Sequence, residues 1–158
     1  MTRTSSRAAL LRVCIQDLHA GKRLQAERLG GLARHASEPA LQRMLEEEIA
    51  RAGAQAERLA ELGVDVEGPD NLWMSGILDD AERDTRSVEP GHLLDVAVLG
   101  AVRKAKASEI VSSETAIALA EALDMANLGA AVHANRAEEV ASDRMLRALL
   151  MAIAQTPG

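Results

Sequence analysis

The spacing of apolar residues is the feature that most constrains the fold. Four long stretches place apolar side chains at steps of three and four, which is the spacing of one face of an α-helix. No segment shows polar residues alternating strictly with β-branched apolar residues, which is the pattern of a strand. The sequence therefore predicts an all-α fold, a four-helix bundle formed by one domain over residues 1–158. The predicted helices cover residues 4–35, 38–62, 92–123 and 125–153, and a short extra helix at 71–85 lies in the crossing between the second and the third.

Residues that commonly begin or end helices separate these stretches. Ser37, Asp70 and Asp124 stand where helices should start, and a short polar side chain can cap the first free backbone N–H groups. Pro39 suits a first helical turn, and Gly63 suits the end of a helix. These signals place the predicted helix ends.

The inward face of each long helix is apolar at both ends and polar in the middle. The uncharged polar residues in this middle part of the four inward faces are Gln25, Gln55, Ser113, Asn135 and Ser142. The charged residues of this predicted central polar layer are Lys22, Glu48, Lys106, Glu109 and Glu139. A buried charge without a partner is costly, so we expect these residues to be paired with one another.

The position of Lys106 leaves two alternatives open. It falls on the apolar stripe of its helix, where its ammonium group could pair with Glu48, Glu109 or Glu139. Alternatively, Lys106 lies at the rim of the bundle and its long stem carries the charge to water.

Acidic residues on facing helices are also how bundles hold metal ions. Two of the five layer residues are lysines, however, and an ammonium group has no lone pair to offer a metal. The one Glu-x-x-His spacing, Glu89 to His92, is interrupted by Pro90 and Gly91. No nucleophile–base arrangement or phosphate-binding loop is present. From the residues alone we predict no metal ligand, no cofactor and no catalytic residue.

Charge and composition exclude several other classes. The net charge of −6 disfavours nucleic acid as a partner. No stretch approaches the roughly eighteen apolar residues of a membrane span. Cys14 is the only cysteine, so no disulfide framework exists within this sequence. We expect a cytoplasmic protein that does not contact membranes, and the sequence identifies no small-molecule ligand.

The order of short motifs resembles the YciE/YciF-like family of bacterial ferritin-like proteins. The family's E-L-x-D-L-Y-x-A-E-x-Q-L lies on "IQDLHAGKRL", and its A-x-A-A-x-S-P-E-L lies on "ARHASEPAL". H-L-E-E-T-x-x-Q-V-x-R-L falls on "EIARAGAQAERL", and A-M-x-G-L falls on "WMSGI". D-A-A-L-I-A-A-A-Q-x-x-E-H-Y-E-I matches "DVAVLGAVRKAKASEI", and L-x-E-E-x-x-A-D matches "RAEEVASD". The similarity covers about residues 10–62 and 92–150 without gaps.

This resemblance implies a ferritin-like four-helix bundle that forms a homodimer, takes part in bacterial stress responses and holds a two-metal centre. The implied ligands are the acids and histidines of the motifs. The sequence departs from the family at most of these positions. Lys22 replaces the glutamate of the first helix, and Lys106–Ala107 replaces the Glu-His pair of the third helix. Glu48 replaces a histidine, and Ala50 and Arg51 replace the two acids after it.

Two functional hypotheses remain. In the first, the chain is a metal-free, stress-associated bundle with a structural or binding role, and its layer of lysines and glutamates replaces a degenerate metal site. In the second, it keeps a metal centre with residual iron or peroxide chemistry, holding iron or manganese. The ligands of that alternative are Glu48, Glu109, Glu138, Glu139 and His133. Whether the chain is an enzyme is left open, with the first hypothesis favoured.

Overall fold

The structure is a computed structural model that describes residues 3–157. It contains five helices and, over that range, no strand, so the all-α prediction is confirmed. The helix ends differ from the predicted ones by up to three residues. The helices are α1 (Arg7–Ala33), α2 (Pro39–Ala60), α3 (Leu72–Ser87), α4 (His92–Ala122) and α5 (Ala126–Ala154).

The residues that cap the helices are not the predicted ones. The cap of α2 is Glu38, whose side chain accepts a hydrogen bond from the backbone N–H of Ala40 at 3.2 Å. The cap of α3 is Asn71, with Oδ1 2.8 Å from the N–H of Met74. The assignments of Ser37, Asp70 and Asp124 as caps were therefore wrong, because in each case the helix begins one residue later than predicted. α5 has no side-chain cap.

Asp95, in the first turn of α4, explains why Ser37 is not a cap. Its carboxylate is fully buried and accepts hydrogen bonds from the Ser37 backbone N–H at 2.8 Å and hydroxyl at 2.5 Å. It also accepts one from the N–H of Glu38 at 3.0 Å. The connection between α1 and α2 is thus fastened to the start of α4.

The four long helices pack along their inward faces. α1 lies against α2 and α4, and α5 lies against α4 and α2. Helix α3, inside the crossing from α2 to α4, packs on the outside against α1 and α4. Every polar residue predicted on the four inward faces is buried.

The buried apolar residues form two clusters. The first joins the C-terminal half of α1, the N-terminal halves of α2 and α4, α3 and the C-terminal part of α5. The second joins the opposite halves of the four long helices, with Leu11, Ile15, Leu59 and Val132 among its members. In each long helix, the charged residues of the central polar layer lie between the two clusters. Within residues 3–157, none of the helices combines the length and apolar character needed to cross a membrane.

Candidate functional site: a buried layer of salt bridges

All five charged residues of the predicted layer lie in the interior. Each long helix contributes at least one of them, from a position near its middle. Lys22, Lys106 and Glu139 are each 1% exposed, and Glu48 and Glu109 are 2% exposed. The alternative position of Lys106 at the rim is therefore wrong.

The five side chains form one continuous chain of ion pairs. The Lys22 ammonium lies 2.7 Å from Glu109 Oε2 and 3.2 Å from Glu139 Oε1. The Lys106 ammonium contacts Glu48 Oε2 and lies 2.9 Å from Glu139 Oε2. Lys106 thus pairs with two of its three expected acids, and the third, Glu109, pairs with Lys22. Glu139 stands at the centre because it alone contacts both lysines.

Two further residues support Glu48 from its other side. The guanidinium of Arg51, one turn along α2, and the hydroxyl of Ser142 on α5 both donate to Glu48 Oε1. Arg51 is 28% exposed, so it lies between the buried layer and the solvent. Counted together, the three glutamates are balanced by two lysines and one arginine, and the layer carries no net charge.

The environment shifts the pKa values of the three residues joined through Lys22. Burial acts to lower the pKa of Lys22, but the charges of Glu109 and Glu139 outweigh it and raise the pKa above its usual value. Burial likewise opposes ionisation of Glu139, yet the two ammonium groups together lower its pKa. For Glu109 burial dominates and raises the pKa, because only Lys22 contacts that carboxylate closely.

Two residues of the alternative metal set lie outside the layer. Glu138 accepts hydrogen bonds from Arg58 at 2.9 Å and Gln55 at 2.8 Å, on the side where α2 meets α5. Burial would raise its pKa, but these two donors lower it. His133 is 58% exposed and stands 3.9 Å from Glu121. The structure thus brings together only Glu48, Glu109 and Glu139 of that set.

The donor set does not fit the two-metal centre that the resemblance implies. Glu109 Oε2 and Glu139 Oε1 contact Lys22, and Glu48 Oε2 and Glu139 Oε2 contact Lys106. Protonated lysine repels a cation and supplies no lone pair. Two divalent ions would also add about four positive charges to a layer that is already neutral. Among the described residues, no three side chains of His, Cys, Asp or Glu are arranged to hold a metal ion.

Sequence reasoning missed the part that Gly21 plays in this layer. A Cβ atom on Gly21 would lie 2.6 Å from Glu109 Oε1 and 2.9 Å from the Asn71 side-chain nitrogen. The missing side chain therefore makes room for the Glu109 carboxylate beside α1. A glycine inside a helix lowers its stability, and its position next to Lys22 was the available signal. Asp95 gave a comparable signal, as an acid within the apolar stretch "HLLDVAVL".

Comparison with known proteins identifies the family. The family model described as "Domain of unknown function (DUF892)" matches residues 9–157. No curated protein sequence matched significantly. The structure is similar to that of the Escherichia coli stress protein YciF, with a TM-score of 0.93 and 21% identity, covering 98% of this chain and 100% of that one. It is also similar to YcfI, a putative structural protein from Rhodopseudomonas palustris, with a TM-score of 0.88 and 22% identity, covering 93% of this chain and 97% of that one. The chain therefore belongs to the DUF892 family and is a YciF-like member of it.

Proposed function

We propose that this chain is a metal-free, ferritin-like four-helix bundle with a structural or binding role in the bacterial stress response. The observation that carries the proposal is the chain of ion pairs in which Lys22 joins Glu109 to Glu139 and Lys106 joins Glu139 to Glu48. Two fixed ammonium groups stand among the carboxylates where a ferritin-like centre would place cations. The positive charge that neutralises the acids is thus part of the polypeptide.

The comparisons support the role in a general way. One similar structure is that of a stress protein, and the other is that of a putative structural protein. At 21% and 22% identity these similarities establish the fold, and the stress association and the cytoplasmic location of this chain are part of the proposal.

The test is metal content and iron oxidation. Protein purified without chelator and loaded with iron or manganese should carry no stoichiometric metal by mass spectrometry. It should also oxidise Fe(II) no faster than buffer does. The matched variant Lys22→Glu/Lys106→Glu places acids at the two lysine positions and should bind divalent metal more strongly than the parent. Two metals per chain in the parent protein, or rapid Fe(II) oxidation, would overturn the proposal in favour of residual iron or peroxide chemistry.

The proposed assembly is a homodimer. Several large apolar side chains are exposed on the single chain, including Leu93 at 67% and Met145 at 60%. Large apolar side chains that adjoin one another on a surface are commonly covered by association. Sedimentation at tens of micromolar, roughly the range in which a weak specific dimer persists, should show a dimer. A single monomeric species over that range would contradict this part of the proposal.

A further inference from the structure

An open groove of about 560 Å³ runs along α4 between α1 and α3. Its apolar wall is formed by Trp73 and Ile77 of α3 and by Ala107 and Val111 of α4. Trp73, the only aromatic residue of the chain, is 74% exposed there. This volume lies within the range of about 300–1,000 Å³ that is typical of small-molecule sites.

The lining of the groove also includes polar residues, among them two carboxylates. Asp17 of α1 and Glu109 of α4 line it together with Asn71, whose side-chain amide donates to the Asp17 backbone carbonyl at 3.0 Å. Among the five charged residues of the polar layer, Glu109 alone lines this groove. Among the described residues, Lys22 is the cation that forms a salt bridge with Glu109, and its ammonium group lies 2.7 Å from Oε2. Oε1 lies beside Gly21, and the described chain donates no hydrogen bond to it, because the Asn71 amide donates to Asp17 instead.

We propose that this groove binds an amphipathic amine, with a protonated head between Asp17 and Glu109 and a hydrocarbon tail along Trp73, Ile77 and Val111. An ammonium head supplies the donors that Glu109 Oε1 lacks and the positive charge that Asp17 lacks. No cation of the described residues forms a salt bridge with Asp17, and burial raises the pKa of its carboxyl group, so a bound cation would relieve that cost. The tail removes apolar surface of the exposed Trp73 and Val111 from water.

Of the residues described in the structure, Lys104 is the one cation that lines the groove, and it is exposed. It offers a competing site for an anionic head, so the charge of the preferred ligand is the decisive measurement. The inference rests on the binding role proposed above but not on the absence of metal. Amine binding and metal content are measured independently, so either proposal can be wrong while the other holds.

The experiment uses the intrinsic fluorescence of Trp73 in the full chain. Octylamine, octanol and octanoate have the same chain length and differ only in the head group. Octylamine should shift the emission to the blue saturably and bind roughly two- to fivefold more tightly than octanol, as expected for one favourable charge pair near the surface. Octanoate should bind most weakly. Equal affinity for amine and alcohol, or tighter binding of octanoate, would overturn the proposal.

Variants assign the effect to the two sides of the groove. Asp17→Asn should reduce the amine affinity toward that of octanol and leave octanol binding unchanged. The control Glu46→Gln removes an exposed acid of α2, outside the groove, and should change neither. Val111→Asn, at a position 63% exposed, should weaken binding of both probes without affecting folding. A blue shift that appears with protein concentration alone would show that a second copy covers the groove, and would overturn the amine assignment.

Discussion

The interior of this protein contains two kinds of buried region that respond differently to change. The two apolar clusters are held by side chains such as Leu45 and Leu99, which are fully buried and need only fill space. The layer between them is equally buried but consists of charges that each need a particular partner. Burial alone is thus the same in both regions, and the difference is specificity: an apolar side chain has many acceptable neighbours, whereas Lys106 has two.

This difference has an energetic form. Removing part of an apolar side chain costs the lost burial plus the cavity, about 2–5 kcal/mol for Leu→Ala. Removing one member of a buried ion pair strands the other charge, which costs about 3–5 kcal/mol. Replacing both members with apolar residues is often close to neutral. The layer should therefore be sensitive to single changes and tolerant of matched pairs, which the apolar clusters are not.

The largest effect is expected at Glu139, because both lysines contact it. Glu139→Gln should lower the free energy of unfolding by at least about 3–5 kcal/mol. The neighbouring Glu138→Gln is the matched control, since its pair with Arg58 is about one-third exposed on each side and should contribute under about 1 kcal/mol. Denaturant unfolding of the two variants measures the contrast. Equal costs for both would mean that the layer behaves as ordinary protein surface.

The next largest effect is the recovery of stability when a second substitution removes the acid that Lys106→Met leaves unpaired. Lys106→Met should lower the free energy of unfolding by about 3–5 kcal/mol, because it leaves one buried acid of the layer without a cation. Methionine keeps the volume of the lysine stem, so the substitution leaves no large cavity. Adding Glu139→Leu leaves Lys22 paired with Glu109, and Glu48 paired with its arginine, so much of the loss should return. Adding Glu109→Leu instead should give little coupling, since Glu109 and Lys106 are not in contact.

A double-mutant cycle from denaturant melts gives the two coupling energies. A coupling near zero for Glu139 would show that Lys106 does not depend on this acid. The comparison between paired charges and apolar packing would then no longer hold at Lys106.

A smaller effect is expected where the layer meets the backbone of α1. Gly21→Ala places a methyl group 2.6 Å from Glu109 Oε1, and overpacking of this kind costs about 1–3 kcal/mol. Gly53→Ala is the control, because it lies within α2 and a Cβ there meets nothing within 4 Å. It should stabilise the protein by about 0.5–1 kcal/mol. Stabilisation by both substitutions would show that the Glu109 carboxylate can move away freely.

The smallest and most gradual effect is expected with pH. Because the folded state raises the pKa of Lys22 above 10.5, the stability that this lysine contributes is fully present below pH 10.5 and is lost as the pH rises through the folded value. The chain has no tyrosine, which simplifies alkaline titration. Burial also raises the pKa of the Cys14 thiol, so the measurement belongs in a Cys14→Ala background. Unfolding free energies that stay constant from pH 9 to 12 would contradict the pairing of Lys22.

The sequence predicted the helices and the inward residues because both follow from local periodicity. Lys22, Glu48, Lys106, Glu109 and Glu139 were found by stepping along each helix separately. Their pairing could not be found in this way. Lys106 had three candidate acids at the same level of the bundle, and only the rotation of each helix about its axis decides which oxygen an ammonium group reaches.

The prediction of Ser37 as a helix cap was wrong for a related reason. Ser37 has the composition of a cap, but Asp95, 58 residues away, takes both its hydroxyl and its N–H. The residues next to Ser37 in the sequence favour a helix cap, but they do not reveal that Asp95 binds this side chain in the folded protein. The groove beside Trp73 depends in the same way on how α3 packs against α1 and α4.

What the sequence by itself determined was therefore the helical periodicity, the polar level in each helix and the presence of two lysines among the acids of that level. Each of these depends on residues within one turn or on the identity of a single side chain. Only the tertiary structure decided that Lys22 belongs with Glu109, that Glu139 joins the two lysines and that Gly21 leaves room for a carboxylate. These depend on distances of a few ångströms between separate helices, which are set by the packing of the whole core.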